Sequence, residues 1–394
     1  MLRFHLAEDT IDQKDIDRLI EWLKGTPRLT KDKLNVLFEN QWSRWIGRKF
    51  SAFCNSGSSA NLLMYYALLL SGKLKNKKVI VPATGWVTTI APAIQFGFEP
   101  ILCESDPDTF GLNLDHLEKL LKKHEPSAVT MVQVLGIPHK MNAVMALKKK
   151  YRFILLEDAC ASIGSTFFGR KIGTFGDMSS FSFYFGHQMS TIEGGMVSTD
   201  NPLFRDLLLM LRSHGWSKDL DPVSHQKLVK KYRVNDDHKP FVFYEPGLNL
   251  RSTDLNAFLG LRQLEKLEWM ISRRHANHLR YQKHLGERFR IQQCKDPDAT
   301  LSSISFCMLA KNSVERHSLA AALTKNGIET RLFTAGNLGR HPFWFNRYGK
   351  PDFPVADQLY QCGIFLPNNP ALDAQGVDFI SKIVLEASCR KKSS

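Results

Sequence analysis

A chain of 394 residues, 43% hydrophobic and 11% aromatic, can bury a large core and on the usual size of folding units divides into two domains. Its formal charge of +14 and pI near 9.4 ask for an anionic partner, whether a phosphorylated small molecule, nucleic acid or a membrane surface. No run of about 18 apolar residues offers a membrane span, the opening Met1-Leu2-Arg3-Phe4-His5-Leu6-Ala7-Glu8-Asp9 lacks the apolar segment of a signal peptide, and the 7 cysteines are scattered singly, with no spacing for zinc, an iron–sulfur cluster or a disulfide framework.

A cytoplasmic protein with reduced thiols and no metal is therefore expected. The basic clusters at 73–78, 148–150, 227–231 and Arg390-Lys391-Lys392 are short and dispersed, the pattern of solvated surface. None has the form of a recognition helix or an aromatic-studded RNA sheet, so nucleic acid is not the expected partner.

In chain order, 10–24 and 31–45 carry helical periodicity, the second with Leu34, Leu37, Phe38 and Trp42 on one face. A short strand, 50–54, leads into Asn55-Ser56-Gly57-Ser58-Ser59-Ala60-Asn61, which opens a helix over 62–70. Small hydroxyl residues and a glycine at a helix N-terminus offer N–H and O–H donors to a phosphate, or they simply cap the helix. Strand and helix then alternate: strands at 79–82, 99–103, 128–134 and 153–156, and helices after Gly85-Trp86 and at 114–122 and 142–151. The last of these strands runs into Glu157-Asp158. This alternation predicts an α/β fold, a mostly parallel sheet with helices on both faces.

The stretch from Phe181 to Gly195 reads as a strand, a polar turn holding His187 and a Gly pair, with a second strand at 196–199. An imidazole at the rim of a sheet is either a proton carrier or a structural histidine. The Ser56 loop, Trp86, Asp158 and His187 all follow strand C-termini, so the alternation brings them to one edge of the sheet. A helix at 202–212 ends in Ser213-His214-Gly215-Trp216, and the polar, basic 217–247 reads as a long loop, either a lid or a surface insertion. Gly247-Leu248-Asn249-Leu250-Arg251 precedes a long helical region, 254–289, expected to bend near its middle. Strands at 302–310, 328–333 and 363–366 and helices at 314–326, 352–361 and 373–388 form a smaller α+β unit, which divides the chain into 1–255 and 256–394.

Taken together, Ser56-Gly57-Ser58, Trp86, Asp158, the 182–195 turn and the 247–251 stretch resemble the vitamin-B6-dependent sugar aminotransferase family, of the aspartate aminotransferase fold type, over roughly residues 4–386. The resemblance implies pyridoxal 5'-phosphate or pyridoxamine 5'-phosphate as cofactor. Its phosphate would be held by Gly57, Ser58 and Ser182, its pyridine nitrogen faced by Asp158 and its ring stacked by Trp86. Asn249 would reach the phosphate of a neighbouring subunit, which implies a homodimer with shared active sites.

One departure is informative. Where family aminotransferases carry the lysine of the internal Schiff base, six residues before the Glu of Glu-Gly-Gly, this chain has His187, and the nearest lysines, Lys171 and Lys218, are far along the chain. A histidine here looks like the sugar 3-dehydratase branch, in which it moves a proton during removal of the C3 hydroxyl from a nucleotide-linked 4-keto-6-deoxyhexose. The stretches 212–216, 246–251 and Gly327-Ile328-Glu329-Thr330-Arg331 are close to that branch. GDP-4-keto-6-deoxy-D-mannose is the expected substrate and L-glutamate the amino donor. The alternatives are a CDP- or dTDP-linked sugar, or a non-catalytic regulatory protein on the same fold. His214, Arg251 and Arg331 are candidate substrate residues; His214 reads equally as a helix-end cap and Arg331 as a surface residue. Ala161 stands where the family has Gln or an acid near the cofactor's phenolic oxygen.

Overall fold

The computed structural model describes residues 2–333 and 336–389; Met1 and the basic Arg390-Lys391-Lys392 run lie outside them. Strands as apolar as Ala128–Val132 and Ile154–Asp158 must be covered on both faces, and the helices between them do so. The 7-stranded sheet runs in the order Phe50–Cys54, Gly195–Thr199, Met178–Ser182, Ile154–Asp158, Ala128–Val132, Lys78–Pro82, Glu99–Cys103. Gly195–Thr199 is antiparallel to both its neighbours, and the remaining pairings are parallel. The mostly parallel α/β architecture expected from the alternation is thus present. Because Phe50–Cys54 and Met178–Ser182 both oppose the same strand, they point the same way as the other parallel strands. Their C-terminal ends share one edge.

One face of the sheet packs Phe38, Trp42, Met141, Val144, Leu267 and Met270. The other packs Leu63, Met64, Leu68, Phe204, Leu208 and Leu211. The helix Asp254–Leu285 is held at its start by Asp254, whose carboxylate accepts from Asp32 N and Asn35 Nδ2 at 2.7 and 2.6 Å. It leads to an antiparallel 4-stranded sheet in the order Arg290–Ile291, Ser305–Leu309, Gly363–Pro367, Arg331–Leu332, with its own apolar cluster around Tyr281, Phe306, Leu319 and Ile380.

Some expectations fail locally. The 217–247 stretch is not a plain loop: it contains a helix, Pro222–Tyr232, with Asp221 accepting from Val223 N and Ser224 N at 3.0 Å each and proline at its first position, a start that the sequence displays. Asp254–Leu285 runs as one unbroken helix of 32 residues, ending short of the expected 289. The strand expected at 328–333 shortens to Arg331–Leu332, while Pro342–Tyr348 forms a helix that periodicity did not reveal. The first helix starts at Gln13, set by the Asp12 capping box. Among the described residues no helix is long and apolar enough to cross a membrane.

Candidate active site

The edge of the sheet where the parallel strands end collects the polar groups. The helix Gly57–Leu70 starts directly after Ser56, whose Oγ accepts from Ser59 N at 3.0 Å; it takes in the part of the 55–61 turn expected to precede it. A Cβ on Gly57 would lie 2.5 Å from Ser182 Cβ and 2.8 Å from its Oγ, so only glycine lets this helix end approach the end of Met178–Ser182 so closely. The Ser58 hydroxyl donates to Thr88 Oγ1 at 3.4 Å, in the turn Val87–Thr89 that Trp86 introduces. Trp86 is 57% exposed, presenting a flat ring at the rim.

Asp158, at the last position of its strand and 4% exposed, is held by three donors. Oδ2 accepts from Asn61 Nδ2 at 2.9 Å and from Thr89 Oγ1 at 2.6 Å, and Oδ1 from Cys160 N at 3.2 Å. Asn61 is itself oriented, since its Oδ1 accepts from Ser180 Oγ at 2.6 Å. A side chain that only accepts satisfies all three donors.

His187 sits in the turn after Phe183, its N–H donating to Tyr184 O at 2.9 Å. Its ring Nδ1 is buried and has no hydrogen-bond partner. Burial pushes the imidazole down to about 4; Asp158 pulls it upward and Arg274 adds to the depression. The ring is therefore neutral at neutral pH, the state that accepts a proton. No lysine takes its place from nearby in sequence: Lys171 donates to Trp45 O and covers the Trp45 ring at 3.9 Å, and Lys218 lies over Trp216 at 5.1 Å.

The structure brings Gly57, Ser58, Trp86, Asp158, Ser182 and His187 to one edge. The strip carrying Asn249 and Arg251 runs beside it, with Asn55 N donating to Leu250 O at 3.0 Å and Cys54 bridging to Arg251. Arg251 Nε donates to Asn249 Oδ1 at 3.1 Å; Asn249 is exposed and Arg251 half-buried. His214 joins the strip through its N–H to Leu248 O at 2.7 Å, in a left-handed conformation with φ 62°. Arg331 stands apart, on the edge strand of the smaller sheet, 73% exposed at its side chain and 3.8 Å from Glu329. Ala161 O accepts from Gln188 Nε2 at 2.6 Å, so the residue after His187 packs against the departure from the family pattern. Sequence reasoning gave no role to Asn61 or Thr89. A polar residue within the otherwise apolar run after Ala60 was the available signal for Asn61, because a buried amide needs a partner.

The model of the DegT/DnrJ/EryC1/StrS aminotransferase family matches residues 9–385. The chain is 31% identical over 342 residues to GDP-4-keto-6-deoxy-D-mannose 3-dehydratase of Yersinia pseudotuberculosis, covering 86% of each. Its fold is similar to that of E. coli GDP-4-keto-6-deoxy-D-mannose-3-dehydratase with bound hydrated PLP, at a TM-score of 0.89 and 28% identity over 98% of this chain and 100% of that one. A GDP-4-keto-6-deoxymannose-3-dehydratase with a trapped PLP-glutamate geminal diamine matches at a TM-score of 0.88 and 28% identity, over 97% and 100% of the two chains.

Proposed function

Because the chain belongs to the DegT/DnrJ/EryC1/StrS aminotransferase family, we propose that it is a pyridoxal-phosphate- and pyridoxamine-phosphate-dependent 3-dehydratase of GDP-4-keto-6-deoxy-D-mannose, with L-glutamate as amino donor. The observation that carries this reading is His187, whose buried Nδ1 has no hydrogen-bond partner and whose imidazole is held in its neutral form within the electrostatic reach of Asp158.

The residues present fit the cofactor. The glycine-only approach of Gly57 to Ser182 leaves a cradle that a Cβ would fill, at the N-terminus of a 14-residue helix whose first N–H groups and dipole favour a phosphate. Ser58 and Ser182 add hydroxyls. Asp158, fixed by Asn61 and Thr89, is the acid for a pyridinium nitrogen, and exposed Trp86 offers the stacking face. The bound cofactor supplies an amine that captures a ketone and a ring that accepts electrons.

The chain's own residues do the rest. Asp158 holds the ring nitrogen's proton in place. His187, neutral because its ring is desolvated, takes a proton on its imidazole and then gives one to the departing C3 hydroxyl of the sugar. His187 has no primary amine with which to form an imine, so a bound cofactor would be held by non-covalent contacts alone. His214 and Arg251, on the strip beside the site, are assigned to the nucleotide sugar, and Arg331 to a carboxylate or pyrophosphate that reaches the smaller sheet.

Exposed Asn249 supports a homodimer in which it completes the partner's phosphate site; sedimentation should give twice the chain mass, and a monomer of full activity would refute the shared site. A nucleotide sugar and free glutamate place the work in the cytoplasm. Purified protein incubated with pyridoxal phosphate and L-glutamate should form 2-oxoglutarate. Addition of GDP-4-keto-6-deoxy-D-mannose should give a product lacking the C3 oxygen by mass spectrometry. An aminated sugar that keeps its oxygen would overturn the proposal.

A further inference from the structure

His187 lies on a turn, yet its peptide is gripped from a distant helix. Arg274, within Asp254–Leu285 and 2% exposed, donates through Nη2 to His187 O at 2.9 Å. Its Nη1 points at the carbonyls of Asn368, Ser303 and Ile304, which precede the strand Ser305–Leu309 and follow the strand Gly363–Pro367. One guanidinium thus joins the His187 turn to two segments of the smaller sheet. On the other side of the same peptide, Gln188 Nε2 donates to Ala161 O and Ser302 O at 2.6 Å each.

Arg274 is an expensive way to fill this space. Only burial acts on its guanidinium, which is drawn down to about 9, with no carboxylate of the described residues offsetting it, and its Nε is buried without a partner. A buried charge held by carbonyls alone is costly, and an apolar side chain of similar volume would avoid that cost. The fork of donors is what the position needs, since Arg alone spans several carbonyls in one plane.

We infer that Arg274 is a positioning residue for the proton carrier: it locks the peptide bearing His187 against the smaller sheet and sets where the imidazole points. This rests on reading His187 as that carrier. The charged groups that act on the ring are Asp158, at the end of its strand, and Arg274, from the long helix, with burial the largest influence. Within the turn itself the Tyr184 ring meets it edge-on at 6.2 Å. Removing the Arg274 charge therefore raises the pH at which His187 takes a proton.

The test compares Arg274→Met, Arg274→Lys and His187→Asn in the cofactor-loaded protein. Arg274→Met should keep KM for the nucleotide sugar and lose kcat roughly 100-fold, the scale of a misplacement near 1 Å, with the acid limb of kcat/KM moved to higher pH. Arg274→Lys keeps the charge without the fork: kcat should fall while the acid limb stays at the parent pH. In cofactor-free protein, 15N NMR titration of His187 should shift upward in Arg274→Met and not in Arg274→Lys. Parental kcat and parental His187 titration in Arg274→Met would overturn the inference; if that variant does not fold, parental kcat in Arg274→Lys would do so. Dehydration retained in His187→Asn would instead remove the reading of His187, whatever the Arg274 variants do.

Discussion

Replacing Gly57 by alanine tests the phosphate cradle with a single methyl group. The new Cβ would stand 2.5 Å from Ser182 Cβ, 2.8 Å from its Oγ and 3.2 Å from Cys160 Sγ. Ser182 Cβ is anchored to a strand position that is 5% exposed, so it cannot swing away as the end of a long side chain would. The helix N-terminus must therefore retreat from the strand end. Overpacking of this kind costs about 1–3 kcal/mol, which is about 5- to 160-fold in an equilibrium constant. The retreat moves the first N–H groups of the helix away from the Ser182 hydroxyl, so the loss should fall on cofactor affinity more than on folding. Titration of cofactor-free protein with pyridoxamine phosphate, followed by its absorbance, should show weaker binding in Gly57→Ala, with thermal unfolding of the unliganded protein lowered less. Equal affinity and equal unfolding temperature in the two proteins would refute the close-approach argument, and a large fall in unfolding temperature with unchanged affinity would place the glycine's role in folding alone.

Asp158→Asn should bind the cofactor yet fail to form 2-oxoglutarate from glutamate; whichever way its amide turns, an N–H meets Asn61 and Thr89 or Cys160 N, so thermal unfolding should also show a loss of about 1–3 kcal/mol. The folded value of His187, about 4, lies below its ordinary 6.5, so the unfolded chain takes up this proton first. Stability is intact above pH 6.5 and falls by roughly 3 kcal/mol as the pH drops toward 4. His278, driven by burial to about 3, acts with the same sign, and denaturant unfolding across this range should be flatter in His187→Asn than in the parent. Arg212 is fully buried between Glu39 and Asp219 and holds Leu250 N through its carbonyl at 2.9 Å. Arg212→Met should cost about 3–5 kcal/mol in denaturant unfolding, because it leaves two carboxylates without their cation, and an unchanged midpoint would refute that account of the triad.

Much of the fold was legible in the residue order. The strands Phe50–Cys54 and Glu99–Cys103 are found at their expected bounds, because apolar runs flanked by turn residues leave little freedom in where a strand begins and stops. The helix Pro222–Tyr232 was hidden by its polarity, although Asp221 and Pro222 marked its start. The residue order also displays His187 in the turn before Glu193-Gly194-Gly195, and an imidazole there is the group on which the proposed chemistry depends.

What the order of residues determined, then, is which reactive groups exist and that the ends of parallel strands share an edge. Tertiary structure decided their partners. Asn61 meets Asp158 across 97 positions and Arg274 meets the His187 carbonyl across 87; hydrogen bonds act over about 3 Å, and no local pattern records which distant segments folding will bring within that reach. Desolvation decided the rest, because the same imidazole in water would be part protonated near neutral pH, whereas in the fold it stays in its base form down to about pH 4.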